Sequence, residues 1–419
     1  LWSCDPRRYT AYTAPEYCVQ KGMEVYGHEY GMHFPWARWP AAPDRRLSAV
    51  HDKVKALGGQ FGAYNGWERA NWYAKPGDDL SWEATQTWGR KGPWEARIRE
   101  ECEAVRDGAG VLSLPGFSRF ELAGAGAGDW LRGLISGGLP KAGKMSLAYF
   151  PDPRGRIQTE MSVLNHGEDR FTLITASVAQ WHDFEWLQKH LIPGLSLVDR
   201  SGEMDTLIVT GPKARDLFAK ITDADLTLPW LSHQMAKVAG RPAQLMRVSF
   251  AGELGWEVHA ANADMPAIYE AVLAGGAKPF GMWALNSLRI EKGYRAWKGD
   301  LSTDYSLLEG GLERFVKLDK PQDFIGKAAL QAEFQRGVKK RFVTLVVEAG
   351  ECDAPYMSTL WHAGKVAGET TSGAWGYRVG KSIALGMLRA DLAVAGTEIE
   401  VEIYGERCRA VVQEDAPLW

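Results

Sequence analysis

The sequence predicts an α+β protein that ends in a small β-barrel or sandwich. From residue 94 to about residue 330, strand-like pairs alternate with amphipathic helical segments on mixed spacing, and one such pair surrounds the Pro-Asp-Pro turn in GKMSLAYFPDPRGRIQTEMSVLN. After residue 331, five short strand-like runs follow one another with turn residues between them. No G-x-G-x-x-G sequence follows a strand and opens a helix, which argues against a dinucleotide-binding fold. We therefore divide the chain into residues 1–75, 76–330 and 331–419.

Composition excludes several classes of protein. The 419 residues are enough for two or three domains, and the apolar and charged fractions of 45% and 24% are those of a globular protein. A net charge of −3 favours neither nucleic acid nor a membrane surface as partner. No apolar run approaches the roughly 20 residues of a membrane span. Five widely spaced cysteines predict a reducing compartment, and we expect a cytoplasmic protein.

Residues 1–75 are rich in aromatic side chains and show no clean hydrophobic period. Helices are predicted over 15–30 and 46–57, and three prolines in FPWARWPAAP separate them. Two interpretations stay open. The segment is either a surface arm that packs on its own chain or an arm that docks on another domain.

The stretch from Phe250 to Asp300 contains an acid in an apolar strand. Gly252 and Gly255 predict a tight turn between the strand-like runs MRVSF and WEVHA. In the second run Trp256 points to one face and Glu257 to the other. Because an unpaired buried carboxylate is costly, Glu257 needs a partner. The candidates are an arginine such as Arg289 or Arg295, or a ligand with paired N–H donors.

Several long motifs resemble the aminomethyltransferase (glycine-cleavage T-protein) family. They are LNSLRIEKGYRAWKGDL, SLLEGGLERFVKLDKPQDFIGKAAL and VAGETTSGAWGYRVGKSIALGML. Within that family the sequence is most similar to the folate-binding half of dimethylglycine and sarcosine dehydrogenases. EVYGHEYGMHFP and FGAYNGWERANWYA resemble the segment that links the flavin half of those enzymes to the folate half. The flavin half itself has no counterpart here.

The resemblance implies a ring of three subdomains, two of α+β type and one small β-barrel, around a central tetrahydrofolate. It implies that Glu257 holds the pterin edge, since a carboxylate accepts two parallel hydrogen bonds. It also implies a catalytic acid near the reactive folate nitrogens, which is Glu160 in GRIQTEM. The further folate-binding residues that it implies are Phe250, Tyr149, Leu147 and Trp375.

The sequence departs from the family pattern at two positions, and the second departure, a missing arginine, argues against a free-standing glycine-cleavage enzyme. Phe250 stands where a tyrosine is common, so the ring can stack but has no hydroxyl to donate. Leu285 stands where the family's G-A-R-D motif has its arginine. The dehydrogenase branch resembles this chain in lacking that arginine.

The function implied is one-carbon transfer to tetrahydrofolate within an N-methyl amine demethylating oxidoreductase, giving 5,10-methylenetetrahydrofolate. FAD would belong to the missing flavin half, which would dock on residues 1–75. Two alternatives remain: a folate-dependent methyltransferase or demethylase of the same fold, and a non-catalytic folate-binding module. No histidine spacing indicates a metal site, and neither nucleic acid nor a membrane is expected as partner.

Overall fold

The computed structural model describes residues 12–419, and it confirms the mixed α+β class. The α helices in this part of the chain are α1 (Pro15–Gly27), α2 (His51–Ala56), α3 (Trp94–Asp107), α4 (Ala127–Leu134), α5 (Gln180–His190), α6 (Ala214–Phe218), α7 (Met265–Ala274), α8 (Met282–Ile290) and α9 (Lys327–Arg336). Short 3₁₀ helices span Glu83–Thr85, Ser177–Ala179 and Glu313–Phe315.

Nineteen strands are present among the same residues. They are β1 (Gly59–Tyr64), β2 (Trp67–Tyr73), β3 (Gly110–Ser113), β4 (Ser118–Ala123), β5 (Met145–Pro151), β6 (Ile157–Gly167), β7 (Arg170–Thr175), β8 (Ser196–Asp199), β9 (Met204–Thr210), β10 (His233–Val238), β11 (Arg241–Met246), β12 (Gly255–Ala261), β13 (Lys278–Pro279), β14 (Lys340–Val347), β15 (Thr359–His362), β16 (Lys365–Gly376), β17 (Lys381–Arg389), β18 (Glu398–Ile403) and β19 (Glu406–Val412).

The chain divides into two compact units. The first comprises residues 12–119, 175–190 and 199–285, and the second comprises residues 120–174, 191–198 and 286–419. Both units are built from segments that are far apart in sequence. The domain boundaries at residues 75 and 330 stay predictions, and so does the arrangement of three subdomains in a ring.

The first unit is built on a six-stranded sheet in the order β10-β11-β12-β9-β3-β13. Its strands are antiparallel except for the short parallel pair β3–β13. One face carries Trp256 and Val258, which are buried in a core with Ile268 and Val272 of α7. Glu257 lies between these two core residues in sequence and therefore points to the opposite face of β12.

Part of the predicted arm belongs to this same core. Val50, Val54, Ala70 and Tyr73 are buried in one cluster with Trp256. Residues 1–75 show no clean period in the sequence, yet these four residues are part of a core. Val50 immediately precedes α2, Val54 lies on α2, and Ala70 and Tyr73 lie on β2. These short elements carry too few apolar side chains to show a period, and residues much later in the chain cover them.

The N-terminal part of the arm combines an anchor with an exposed helix. The Trp36 ring lies 5.2 Å from that of Trp94 and 5.1 Å from that of Trp283, measured between ring centroids. Helix α1, by contrast, contains no buried residue. Met23 and Tyr26 on this helix are 72% and 77% exposed. The segment thus packs on its own chain while leaving apolar surface uncovered.

The second unit contains a five-stranded sheet in the order β5-β6-β7-β4-β8. The predicted strand pair around the Pro-Asp-Pro turn is confirmed as β5 and β6, which are antiparallel with Tyr149 opposite Glu160. The apolar cluster beside this pair includes Tyr149, Ile157 and Leu307. This packing fixes the positions of the side chains on the β5–β6 ladder.

The predicted C-terminal barrel is confirmed. It is closed, with the strand order β14-β17-β16-β15-β18-β19 and pairing between β14 and β19. In β18 the residues Ile399, Val401 and Ile403 are buried and alternate with glutamates, the period-2 pattern of a strand with one face in a core. The barrel has six strands where five were predicted, because the four-residue β15 was not recognised.

No helix among residues 12–419 is long and apolar enough to cross a membrane. Within the same residues Cys18, Cys102, Cys352 and Cys408 form no disulfide bond. Cys4 lies outside the described residues.

Candidate functional site

The predicted site residues occur in both units. Glu257 and Phe250 belong to the first unit, and Glu160, Tyr149, Leu147 and Trp375 belong to the second. Their roles in ligand binding stay predictions. The side chains around the two acids decide what each acid can do.

Glu257 is presented by β12, which pairs with β9 on one side and β11 on the other. The predicted hairpin between β11 and β12 is confirmed, but its connection is the eight-residue loop 247–254 and not a tight turn. The run MRVSF contributes only Met246 to β11. Phe250 lies in this loop, where it is partly buried.

Gly252 in the loop and Gly255 at the start of β12 are each glycine for a different structural reason. Gly252 has a φ of 81°, a left-handed conformation that favours glycine. At Gly255 a Cβ would lie 2.9 Å from Thr210 Oγ1 and 3.0 Å from the carbonyl oxygen of Val209. Glycine therefore lets β12 begin in close contact with β9, two residues before Glu257.

The partner of Glu257 is a histidine on its own strand. His259 Nε2 lies 3.1 Å from Glu257 Oε2, and two residues of spacing put both side chains on one face of β12. The His259 side chain is fully buried, whereas that of Glu257 is 13% exposed. Glu257 thus lies at the boundary between a buried polar group and the surface of its unit.

Neither arginine proposed from the sequence pairs with Glu257. Arg289 forms a buried ion pair with Asp300, and Arg295 lies 3.1 Å from Asp415. Asp300 also accepts hydrogen bonds from the hydroxyl groups of Thr371 and Ser372. These contacts lie within the second unit, where each arginine pairs with an aspartate. The side-chain partner that the structure gives Glu257 is His259, which was not among the candidates.

Glu160 faces Tyr149 across the β5–β6 ladder, and the Tyr149 hydroxyl donates a hydrogen bond to the Glu160 carboxylate. Burial raises the pKa of Glu160 to about 7, and this effect outweighs the opposing effect of the tyrosine hydrogen bond. Burial also raises the pKa of Tyr149 well above its usual value. At neutral pH the pair therefore consists of a tyrosine that keeps its proton and a carboxyl group that exchanges one.

The remaining predicted residues lie at identifiable places. Leu147 packs at the edge of the apolar cluster that contains Tyr149, two residues along β5 and on the same face. Trp375 is partly buried on β16, and its carbonyl oxygen accepts a hydrogen bond from Ser287 Oγ at 2.7 Å. The structure thus brings Glu160, Tyr149 and Leu147 together on one ladder.

The sequence analysis missed His259, the partner of Glu257, and Arg119, which contacts His259. His259 could have been found, because it stands two positions after Glu257 in a strand and so shares its face. Arg119 is 140 positions from His259, and no local pattern connects the two residues.

One group of potential metal ligands was also missed. The ligand atoms of Asp44, His51 and Glu68 all lie within 4.8 Å of one another. Their contacts are those of an internal ion pair: His51 Nε2 lies 3.0 Å from Glu68 Oε2, and the Asp44 N–H donates to Glu68 Oε1. The hydrogen bond with Glu68 raises the pKa of His51 above its ordinary value. The arrangement holds the segment before α2 to strand β2.

Comparison with known proteins identifies the family. A family model described as the GCVT N-terminal domain matches residues 50–320, and one described as the glycine cleavage T-protein C-terminal barrel domain matches residues 340–418. The chain belongs to the aminomethyltransferase (glycine-cleavage T-protein) family. A third model, the FAD dependent oxidoreductase central domain, matches residues 1–48.

The chain is similar in sequence to relatives of two kinds. An aminomethyltransferase from Geobacillus thermodenitrificans is 30% identical over 77% of this chain and 91% of its own length. The mitochondrial dimethylglycine dehydrogenase of Homo sapiens is 32% identical over 99% of this chain but only 49% of its own length. The chain therefore spans about half the length of that curated relative.

A solved structure shows the same fold. The glycine cleavage system aminomethyltransferase T from Bartonella henselae matches with a TM-score of 0.77 at 21% identity, over 88% of this chain and 97% of the other. At this identity the match concerns the aminomethyltransferase fold alone.

Proposed function

We propose that this chain is the tetrahydrofolate-binding portion of a flavin-linked N-demethylating dehydrogenase of the dimethylglycine or sarcosine type. Its product would be 5,10-methylenetetrahydrofolate. The observation that carries the proposal is the state of Glu257. One of its oxygens is held by His259, and the side chain remains partly exposed on β12.

The residues present fit a reduced pterin. Within residues 12–419, Glu257 Oε1 has no hydrogen-bond partner, so it can accept an N–H from a ligand. A charge-assisted hydrogen bond of this kind contributes about 1.5–3 kcal/mol. Phe250, in the loop that leads into β12, offers an aromatic face without a hydroxyl. Both groups suit a flat, nitrogen-rich ring with donors at its edge.

Glu160 supports the chemical part of the proposal. Tetrahydrofolate, when bound, would supply the nitrogen nucleophile that takes up the one-carbon unit. A carboxyl group with a pKa of about 7 holds or releases a proton at cellular pH, which is the property required of a general acid–base residue. Tyr149 orients this carboxyl group and keeps its own proton.

The flavin would be carried by a partner half and not by this chain. The match of residues 1–48 to an FAD dependent oxidoreductase central domain supports such a partner. The exposed apolar residues Val19, Met23 and Tyr26 on α1 follow helical spacing and suit a docking surface. A small N-methyl amine would be the substrate of that partner half.

The compartment is also part of the proposal. The four cysteines of residues 12–419 form no disulfide bond, which is consistent with a reducing environment, and we propose a cytoplasmic location. The human relative, by contrast, is named as a mitochondrial protein. Fractionation of the native host would decide between the two locations.

Titration calorimetry with tetrahydrofolate tests the proposal. In Glu257→Gln the single oxygen would be taken by the His259 N–H, so the amide NH₂ would face the N–H donors of the ligand. We expect at least tenfold weaker binding, or about 1.4 kcal/mol. Glu203→Gln, at a glutamate that is 59% exposed in the same unit, is the matched control and should bind like wild type.

The alternatives give different results. A wild-type chain that does not bind tetrahydrofolate would refute the proposal. A chain that binds it but yields no 5,10-methylenetetrahydrofolate in the presence of a flavin half and amine would favour the non-catalytic module. Formation of a methylated folate without any flavin half would favour the methyltransferase.

A further inference from the structure

The hydrogen bonds around His259 determine which ring nitrogen carries the proton. Nδ1 contacts Nη2 of Arg119, and the hydroxyl of Thr206 lies 3.0 Å from the same nitrogen. A guanidinium group has only N–H donors, so Nδ1 must present its lone pair to Arg119. The proton of a neutral His259 is therefore on Nε2.

That Nε2–H faces Glu257. The separation of 3.1 Å between Nε2 and Oε2 is a hydrogen bond in which the histidine donates. Burial and the nearby charge of Arg119 lower the pKa of His259, and these effects outweigh the opposing influence of Glu257. The ring is thus neutral at pH 7, and a single orientation satisfies Arg119, Thr206 and Glu257 together.

The consequence concerns the geometry of the carboxylate. A glutamate on the surface of a strand can adopt many rotamers, and ordering it costs conformational entropy when a ligand binds. Here His259 holds Oε2, is itself fully buried, and is fixed by an arginine with only 4% exposure. The ordering of Glu257 is therefore established before any ligand arrives, with Oε1 left as the acceptor.

We propose that Arg119 and Thr206 hold His259 as the Nε2–H tautomer, and that His259 acts as a positioning residue that orients Glu257 toward the ligand. The identity of the ligand, a reduced pterin, rests on the proposed function. The chain of hydrogen bonds from Arg119 through His259 to Glu257 does not depend on the proposed function.

The first test is made on the wild-type protein without a ligand, and a variant is used only to assign signals. Nitrogen-15 NMR of protein labelled in its histidine rings reports which ring nitrogen is protonated, and the His259 signals are assigned by their absence in His259→Gln. We expect an unprotonated Nδ1 and a protonated Nε2 at pH 7. A ring protonated at Nδ1, alone or at both nitrogens, would overturn the proposal.

The second test compares two substitutions at one position. Glutamine can place an N–H donor near the position of Nε2, whereas leucine fills similar volume without a donor. In calorimetry with tetrahydrofolate, we expect His259→Leu to weaken binding at least tenfold and His259→Gln to stay within threefold of wild type. Equal affinity of both variants, whether retained or lost, would overturn the positioning role.

The outcomes separate this inference from the proposed function. Absence of tetrahydrofolate binding in wild type would refute the proposed function, and the NMR spectrum would still decide the tautomer. If His259→Leu does not fold, Arg119→Met replaces it, with Arg119→Lys as the conservative variant that retains an N–H donor. We then expect the lysine variant to bind at least fivefold more tightly than the methionine variant, and equal binding would contradict the positioning role.

Discussion

The hydroxyl of Tyr149 and the carboxyl group of Glu160 form a hydrogen bond across the β5–β6 ladder, with the two residues directly opposite each other. Cross-strand neighbours are held at a fixed separation by the backbone, so the pair is ordered without help from a ligand. The titration of Glu160 near neutral pH can therefore be changed through its tyrosine as well as directly.

Replacement of Glu160 by glutamine should slow the chemical step and spare binding. General acid–base catalysis contributes about 10²–10⁴-fold, so we expect at least a hundredfold slower formation of 5,10-methylenetetrahydrofolate in single-turnover quench experiments. The affinity for tetrahydrofolate should stay within about threefold of wild type. Glu121→Gln, at an exposed glutamate of β4, is the control. Wild-type rates in Glu160→Gln would exclude the catalytic role.

Wild-type turnover should depend on pH with a midpoint near pH 7. If the carboxylate accepts a proton in the rate-determining step, the rate rises as pH increases through the Glu160 pKa of about 7. The same rise should be absent from Glu160→Gln, whose residual rate has no carboxyl group to titrate. A profile that is flat in wild type between pH 5.5 and 8.5 would contradict this assignment.

Tyr149→Phe should move that midpoint to higher pH. The tyrosine hydroxyl favours the ionised form of Glu160, so its removal raises the pKa. A hydrogen bond to a charged group is worth about 1.5–3 kcal/mol, which corresponds to a shift of about 1–2 pH units. Tyr305→Phe removes the tyrosine hydrogen bond to Glu369 in the same unit and serves as control. An unmoved midpoint in Tyr149→Phe would show that the hydroxyl does not tune Glu160.

The stability of the first unit should depend on pH through Glu101. This glutamate is 6% exposed and accepts hydrogen bonds from the N–H groups of Tyr73 and Gly281, and burial raises its pKa to about 8. A carboxyl group whose folded pKa lies above its unfolded value of 4.5 lowers the free energy of unfolding as pH rises between these two values. The slope from this group is at most about 1.4 kcal/mol per pH unit.

Urea unfolding of Glu101→Gln checks that dependence. The amide leaves a buried donor facing one of the two backbone N–H groups, so the variant should be less stable than wild type at pH 6 by about 1–3 kcal/mol. The difference should shrink by pH 8.5, because only wild type loses stability as this group ionises. Glu100→Gln on the same helix, at a side chain 43% exposed, should differ from wild type by under about 1 kcal/mol. A difference that does not change with pH would refute the role of Glu101.

Docking of the flavin half is best tested on α1 and not by deletion of residues 1–75. That deletion would remove Val54 and Tyr73 from the core of the first unit, so loss of association would have no clear meaning. Met23→Glu combined with Tyr26→Glu changes only exposed positions and should abolish co-elution with a flavin half in size-exclusion chromatography. Gln20→Glu, exposed on the same helix, is the control. Unchanged co-elution of the double variant would exclude α1 as the docking surface.

The sequence was sufficient to predict features that depend on local periodicity. The orientation of Glu257 follows from the two-residue period of a strand, and the β5–β6 pair follows from its turn. The partner of Glu257 could not be predicted in the same way. The state of this partner, His259, depends on Arg119, which lies 140 positions before His259 in the sequence and sets its tautomer.

Other features escaped the sequence analysis for a related physical reason. Arg289 and Arg295 are near Glu257 in sequence, but they form ion pairs with Asp300 and Asp415. Val50 lies just before the short helix α2 and Tyr73 at the end of β2, and both are covered by residues about 200 positions later, so no period marks them as core. Strand β15 has only four residues, too few for an alternating pattern to stand out.

Closure of the C-terminal barrel has a consequence for assembly. In an open sheet the outermost strands carry a row of unpaired N–H and C=O groups, to which another chain can add a strand. Residues 340–412 pair β14 with both β17 and β19, so this barrel has no outermost strand. A protein that contacts the barrel must therefore recognise its side chains and loops. Selectivity among potential partners is thus built into the topology of this region, and fibre-like self-association through it is disfavoured.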